Sequence, residues 1–271
     1  MQNVFVSGGF DDLKSRHLRF LEEAAKRGAL HVSLWPDEVV TKFQGRPPKF
    51  PLAERQYVVE SIRFVQEVRV SSTLATAHEF SWPELMANGL WVVEEAADHT
   101  DKRAFAKQHG LAYQVLGNQA LAGFPEKPAA PSSPARKKVI VTGCYDWFHS
   151  GHVRFFEEVS QLGDLYVVVG HDANVRLLKG EGHPLFPQDE RRYIAGSIRY
   201  VTQALISTGN GWLDAEPEIL RIKPDLYAVN EDGDKPEKRN YCQQHRIEYA
   251  VLKRTPKEGL TGRNSTNLRG F

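Results

Sequence analysis

Cysteine is scarce in this chain. Its 271 residues hold two, Cys144 and Cys242. Two thiols far apart in sequence make neither a disulfide framework nor a zinc site, so no metal is assigned to protein ligands and a reducing, cytoplasmic setting is expected. A surplus of charge is lacking too. Lysine and arginine number 35 against 34 aspartates and glutamates, a formal charge of +1. That excludes the global basic field with which a protein holds nucleic acid or an anionic membrane, and it leaves room for local basic pockets around a small phosphate ligand. Long apolar runs are also missing. The longest are strand-length, so no membrane span is expected. Asp11, Asp12 and Lys14 come too early for a signal peptide.

What the chain does have is a repeat. Val4, Val6, Gly8, Asp11, Ser15, His17, Arg19, Phe20, Glu22, Glu23, Gly28, Leu30 and Val32 recur 135 residues later, from Val139 to Val167. With one insertion the offset becomes 136. Pro51, Glu54, Arg55, Tyr57, Ser61, Ile62, Arg63 and Val65 then recur from Pro187 to Val201. The same register returns at Lys102, Arg103, Gln108, His109, Tyr113, Val115 and Leu116, matched by Lys238 to Leu252. One register through three separated blocks identifies a duplicated unit. Between the copies, residues 124–137 carry four prolines among small and charged residues. This composition predicts a semi-rigid extended linker. The expected domains are 1–123 and 138–271.

Each copy alternates strand and helix signals. In the second, Lys138–Thr142 is a β-branched run, and Val153, Phe156 and Val159 set a helical stripe closed by Gly163. Leu165–Val169 is a continuous apolar strand of the kind buried on both faces of a parallel sheet. Helices are expected over Asp189–Arg199, Glu216–Ile222 and Lys235–His245, with strands at Val201–Ser207, Leu226–Val229 and Ala250–Leu252. The pattern predicts an α/β chain of two tandem Rossmann-like, doubly wound parallel-sheet domains. Ligands of such sheets bind beyond the carboxyl ends of the strands.

The first strand of the second copy runs into Gly143-Cys144-Tyr145-Asp146-Trp147-Phe148-His149-Ser150-Gly151-His152. A helix starting near Ser150 offers unpaired backbone N–H groups and a positive dipole end to a phosphate. Gly151 removes a side chain where phosphate would approach. His149 and His152, three residues apart, share one side of the first turn, where imidazoles can donate to phosphate oxygens as their charge grows. Two surface histidines at a helix start are the plainer reading of the same residues.

This segment resembles the H-x-G-H motif of the nucleotidyltransferase superfamily. Lys179-Gly180, then Pro184, Glu190 and Arg191, follow in the order that superfamily uses. Ile198-Arg199-Tyr200-Val201 is similar to the R-Y-V signature of cytidylyltransferases. Arg254-Thr255 with Gly262-Arg-Asn-Ser-Thr-Asn-Leu-Arg269 is similar to the family's R-T…G-x-S-T ending. The resemblance implies that a phosphorylated acceptor attacks the α-phosphorus of a nucleoside triphosphate and pyrophosphate leaves. It gives catalytic roles to His149, His152, Lys179 and Arg254. It gives nucleotide contacts to Gly143, Cys144, Tyr145, Gly151, Arg254, Ser265 and Thr266. Mg²⁺ is implied with the triphosphate. Asp146, Arg199, Trp212 and Asp232 are candidates for the acceptor. Turn chemistry, an interface between halves, core packing and a plain loop are their respective alternatives.

The first copy shows Lys14-Ser15-Arg16-His17 where the second has the motif. Gly117 and Asn118 stand against Lys253 and Arg254. Residues 1–123 are therefore expected to be catalytically silent. Cytidylyltransferases of this family are typically dimers, so the duplication implies an intramolecular pseudo-dimer, with further homodimerisation open. The tandem plan resembles ethanolamine-phosphate cytidylyltransferase, with the order of active and silent halves reversed. The expected function is transfer of CMP from CTP to a small phosphorylated alcohol. An adenylyltransferase acting on a sugar phosphate and a non-catalytic nucleotide-binding scaffold are the alternatives.

Overall fold

A computed structural model of the chain describes residues 1–71, 74, 76–80, 82, 87–131, 133 and 135–264. The chain divides into two compact units, Met1–Gly123 and Phe124–Phe271.

The first unit runs β1 (Asn3–Gly8), α1 (Ser15–Ala25), β2 (Ala29–Leu34), α2 (Asp37–Gln44), α3 (Leu52–Glu60), β3 (Val65–Val70), β4 (Leu90–Glu94), α4 (Thr100–Gln108) and β5 (Ala112–Leu116). The second repeats the scheme as β6 (Lys138–Gly143), α5 (Ser150–Ser160), β7 (Asp164–Val169), α6 (Asp172–Lys179), α7 (Gln188–Gly196), β8 (Val201–Ile206), α8 (Glu216–Ile222), β9 (Leu226–Asn230), α9 (Pro236–His245) and β10 (Glu248–Leu252). Among the described residues each unit forms one five-stranded sheet. The orders are β3-β2-β1-β4-β5 and β10-β9-β6-β7-β8, and the strand pairs within them are parallel. The two orders are the same topology read from opposite edges. The Rossmann-like architecture expected from the sequence is present twice.

Strand alternation divides the core of the second unit into two layers. Ile140, Tyr166, Val168, Tyr227 and Val229 face Ile219 and Ile222 of α8 and Tyr241 and Cys242 of α9. Val139, Val141, Leu165 and Val167 take the other face and are fully buried, as are Val153, Phe156 and Val159 of α5. Each such apolar side chain stabilises the fold by about 1.5–3 kcal/mol.

Two elements differ from expectation. Helix α6 was not visible as a pattern, because its leucines point outward: Leu177 and Leu178 are 70% and 57% exposed, while Asn174 and Val175 are buried. Its start is fixed by His171, whose Nδ1 accepts the Asn174 N–H at 3.3 Å. The proline-rich segment lies against the second unit. Ala130 N–H donates to Thr202 O at 2.9 Å, Phe124 O accepts from Arg192, and Lys127 sits over the Tyr193 ring. Proline supplies the extended backbone, and the Ala130 N–H and the Phe124 carbonyl find partners on β8 and α7. No helix among the described residues is long and apolar enough to cross a membrane.

Candidate active site

The β6–α5 loop leaves the sheet at its carboxyl edge. Tyr145 adopts φ 53°, and a Cβ on Gly143 would lie 2.8 Å from the tyrosine ring, so glycine is required for the ring to fold back. That ring packs edge-on against His152, centroids 5.4 Å apart.

Helix α5 begins at Ser150 with His149 as its cap. His149 Nδ1 accepts the Gly151 N–H at 3.1 Å. His152 Nδ1 accepts the His149 N–H at 3.4 Å. Each imidazole thus closes one end of a reciprocal cap. A neutral ring whose Nδ1 accepts must carry its proton on Nε2, which makes each ring an Nε2–H donor. The two centroids are 4.1 Å apart. Burial, reinforced by the Arg254 and Arg263 charges, depresses His149 to about 4. Burial, then the charges of His149, Arg254 and Lys179, holds His152 well below its ordinary value. Both are neutral near pH 7. Gly151 also serves the cap. A Cβ there would sit 2.9 Å from the His149 ring, so the cap itself requires glycine.

Two adjoining clefts open at this helix start. The first, about 190 Å³, is lined by Gly143, Cys144, Tyr145, Asp146, Gly151, His152, Lys179, Asn230, Asp232, Lys238 and Arg254, among others. The second, about 200 Å³, lies between the start of α5 and residues 253–263 and shares Gly151, Phe155, Asn230 and Arg254 with the first. Lys179 arrives at the last turn of α6 and Arg254 two residues beyond β10. Arg254 Nη1 donates to Asp232 at 2.6 Å, and its other amine to the Arg263 carbonyl at 3.4 Å. Burial pushes the Cys144 thiol up, with Lys179 and Arg191 opposing, so this cysteine fills space as a thiol.

Most of the expected site residues therefore converge on one place. Asp146 lines the cleft, yet its carboxylate is committed to the backbone. It accepts the N–H groups of Leu185 and Phe186 at 2.8 and 3.0 Å, which ties the loop before α7 to the β6–α5 loop. Arg199 is not in the site. It lies exposed just before β8, at the amino end of a strand, whereas the clefts open at carboxyl ends. Trp212 lies in a 3₁₀ turn, is 52% exposed, and lines neither cleft; it is not a core residue either. Ser265 and Thr266 lie outside the described residues. Lys238, Lys257 and Arg263 line the clefts without having been expected. Lys238 was visible as the repeat of Lys102, but both lysines hold a carbonyl at the same place, Gly233 and Ala97, so the repeat signalled a structural part.

The first unit shows what the loss of the motif did. Lys14 N–H still donates to His17 Nδ1 at 2.9 Å. Arg16, at the position of Gly151, reaches across to Glu94 Oε2 at 2.8 Å and Asn118 Oδ1 at 2.7 Å. These two occupy the positions of Asn230 and Arg254. A guanidinium with its own carboxylate now lies where the second unit leaves a basic cleft.

The fold and the arrangement at its helix start are those of a nucleotidyltransferase, and comparison with known proteins agrees. Residues 140–254 match the family described as Cytidylyltransferase-like. The chain is 38% identical over 97 residues to an FAD synthase of Ferroglobus placidus, covering 35% of this chain and 60% of that protein. It is 38% identical over 104 residues to an FAD synthase of Pyrococcus horikoshii, covering 38% of this chain and 68% of the relative. It is also 37% identical over 103 residues to the Bifunctional protein HldE of Campylobacter concisus, covering 37% of this chain and 21% of the relative. The chain belongs to the cytidylyltransferase-like family of nucleotidyltransferases.

Proposed function

We propose that the chain transfers a nucleoside monophosphate from a nucleoside triphosphate to a small phosphorylated acceptor, and that the first unit is its catalytically silent companion. The observation that carries this reading is the pair of neutral imidazoles, each locked as an Nε2–H donor by the helix start, beside Lys179 and Arg254. An acceptor phosphate oxygen attacks the α-phosphorus in line, the bond to the bridging oxygen breaks, and pyrophosphate departs with that electron pair. His149 and His152 donate to phosphate oxygens without adding a proton to them. Lys179 offsets the charge of acceptor and α-phosphate as they approach. Arg254 exchanges Asp232 for the triphosphate. Such catalysis rests on positioning and electrostatics.

Mg²⁺ would enter with the triphosphate. The carboxylates lining the cleft, Asp146 and Asp232, are engaged by N–H groups and by Arg254. This donor set fits an ion held mainly by phosphate oxygens and water.

The favoured donor is ATP. FAD contains an adenylyl group, and the relatives named FAD synthase are among the most similar. CTP is the second reading, favoured by the Ile198–Val201 signature, although Arg199 of that signature stands away from the cleft. Calorimetric titration with ATP and CTP, followed by pyrophosphate release with a panel of phospho-alcohols, sugar phosphates and a flavin mononucleotide, tests both. CTP binding without ATP binding overturns the donor. Nucleotide binding without pyrophosphate release from any acceptor overturns catalysis and leaves a scaffold.

A further inference from the structure

We propose that the first unit carries a transition-metal site of its own, formed by His78, His99 and Asp101 and suited to Zn²⁺. One ligand atom from each lies within 4.8 Å of the other two. His99 Nδ1 and Asp101 Oδ2 are 3.4 Å apart. At Zn–N and Zn–O distances of about 2.0–2.1 Å, two ligands of a tetrahedral zinc are separated by about 3.3 Å, so these two side chains already stand at ligand spacing before the ring adjusts. The third ligand completes the observation. His78 Nδ1 is buried and has no hydrogen-bond partner among the described residues. A buried polar nitrogen left without a partner calls for an unseen one. The two imidazoles stack face to face, centroids 4.0 Å apart and planes 2° apart. Parallel rings cannot aim both lone pairs at one ion. A turn of the His99 ring, which is 46% exposed, converts the stack into a converging pair, and the metal replaces the 3.2 Å bond from the Asp101 N–H to His99 Nδ1. Two imidazoles and one carboxylate favour Zn²⁺ and its neighbours over Mg²⁺.

The position supports the assignment. His99 and Asp101 open α4, just beyond the carboxyl end of β4, the edge where such sheets take ligands. At the matching positions the second unit has Lys235 and Glu237, so the cluster belongs to the unit that lost the nucleotidyl-transfer motif. It stands independently of that motif.

Titration of the metal-free full chain with Zn²⁺ should show a one-to-one event at micromolar or tighter affinity, together with a raised melting temperature. His78→Gln and His99→Gln should each weaken it at least tenfold, and the exposed Asp101→Asn, the variant least able to disturb folding, at least threefold. Mg²⁺ should not compete. Absence of a one-to-one event in the wild-type chain overturns the proposal. So does binding that persists in the folded variants but disappears in His152→Ala, which would place the zinc on the other histidine pair.

Discussion

Arg55 and Arg191 occupy equivalent places in the two units and make equivalent bonds. Arg55 donates to the carbonyls of Phe50, Gly9 and Trp35 and to the Asp37 carboxylate. Arg191 donates to the carbonyls of Phe186, Cys144 and Gly170 and to Asp172. Asp11 and Asp146 likewise hold the same two backbone N–H groups, Lys49 and Phe50 in one unit and Leu185 and Phe186 in the other. The bonds that suspend the loop over the helix start have thus survived duplication unchanged. Most of the residues that would meet a phosphate have diverged: His149 against Lys14, Gly151 against Arg16, Arg254 against Asn118, while His152 keeps its counterpart in His17. Skeleton and motif have thus separated: both units keep the bonds that hold the loop, and the second alone keeps the histidine–glycine motif.

The largest expected effect tests the shared part. Arg191→Leu or Arg55→Leu leaves three backbone carbonyls without their donor, at a cost of about 1–3 kcal/mol for each that stays buried. Chemical denaturation should show both losses within about a factor of two of each other. A neutral effect in the first unit alone would mean that its loop is no longer held for stability.

The divergent part comes next. His152→Ala should lower turnover by about 10²–10³-fold, as for removal of one preorganised donor. His17→Ala, which removes the same cap acceptor from a helix start plugged by Arg16, should leave turnover within about twofold of wild type in the same assay. Comparable losses from both would show that the first unit still takes part in catalysis.

These contrasts also show what was legible beforehand. The duplication was readable because core strands and suspended loops keep residue identity. For the same reason, several recurring residues are braces: Arg191 holds the loop, and Lys238 holds a carbonyl while it lines the cleft. The second unit's histidines and Gly151 were readable because a helix start imposes their spacing. Side-chain aim was not. Asp146 has the position of an acceptor ligand, but two N–H groups forty residues on in the chain claim its carboxylate. Arg199 matched a sequence signature, yet strand direction puts it at the opposite end of β8. Helix α6 hid because its exposed leucines reverse the usual stripe.

The smallest expected effect separates the two helix starts by charge. A histidine with a folded pKa below its unfolded value is protonated first in the unfolded chain. Stability is therefore full above about pH 6.5 and falls as pH drops toward the folded value. For His149, at about 4, the loss reaches at most about 3 kcal/mol. His17 is also depressed by burial, but the Glu94 and Asp12 carboxylates oppose it, where Arg254 and Arg263 add to burial in the second unit. Asparagine can cap a helix without titrating in this range. Melting temperatures of the full chain between pH 7 and pH 4.5 should therefore fall less steeply in His149→Asn, and only slightly less steeply in His17→Asn. The reverse ranking would show that Glu94 does not neutralise the first unit's helix start and that the Arg16–Glu94 pair does not close it.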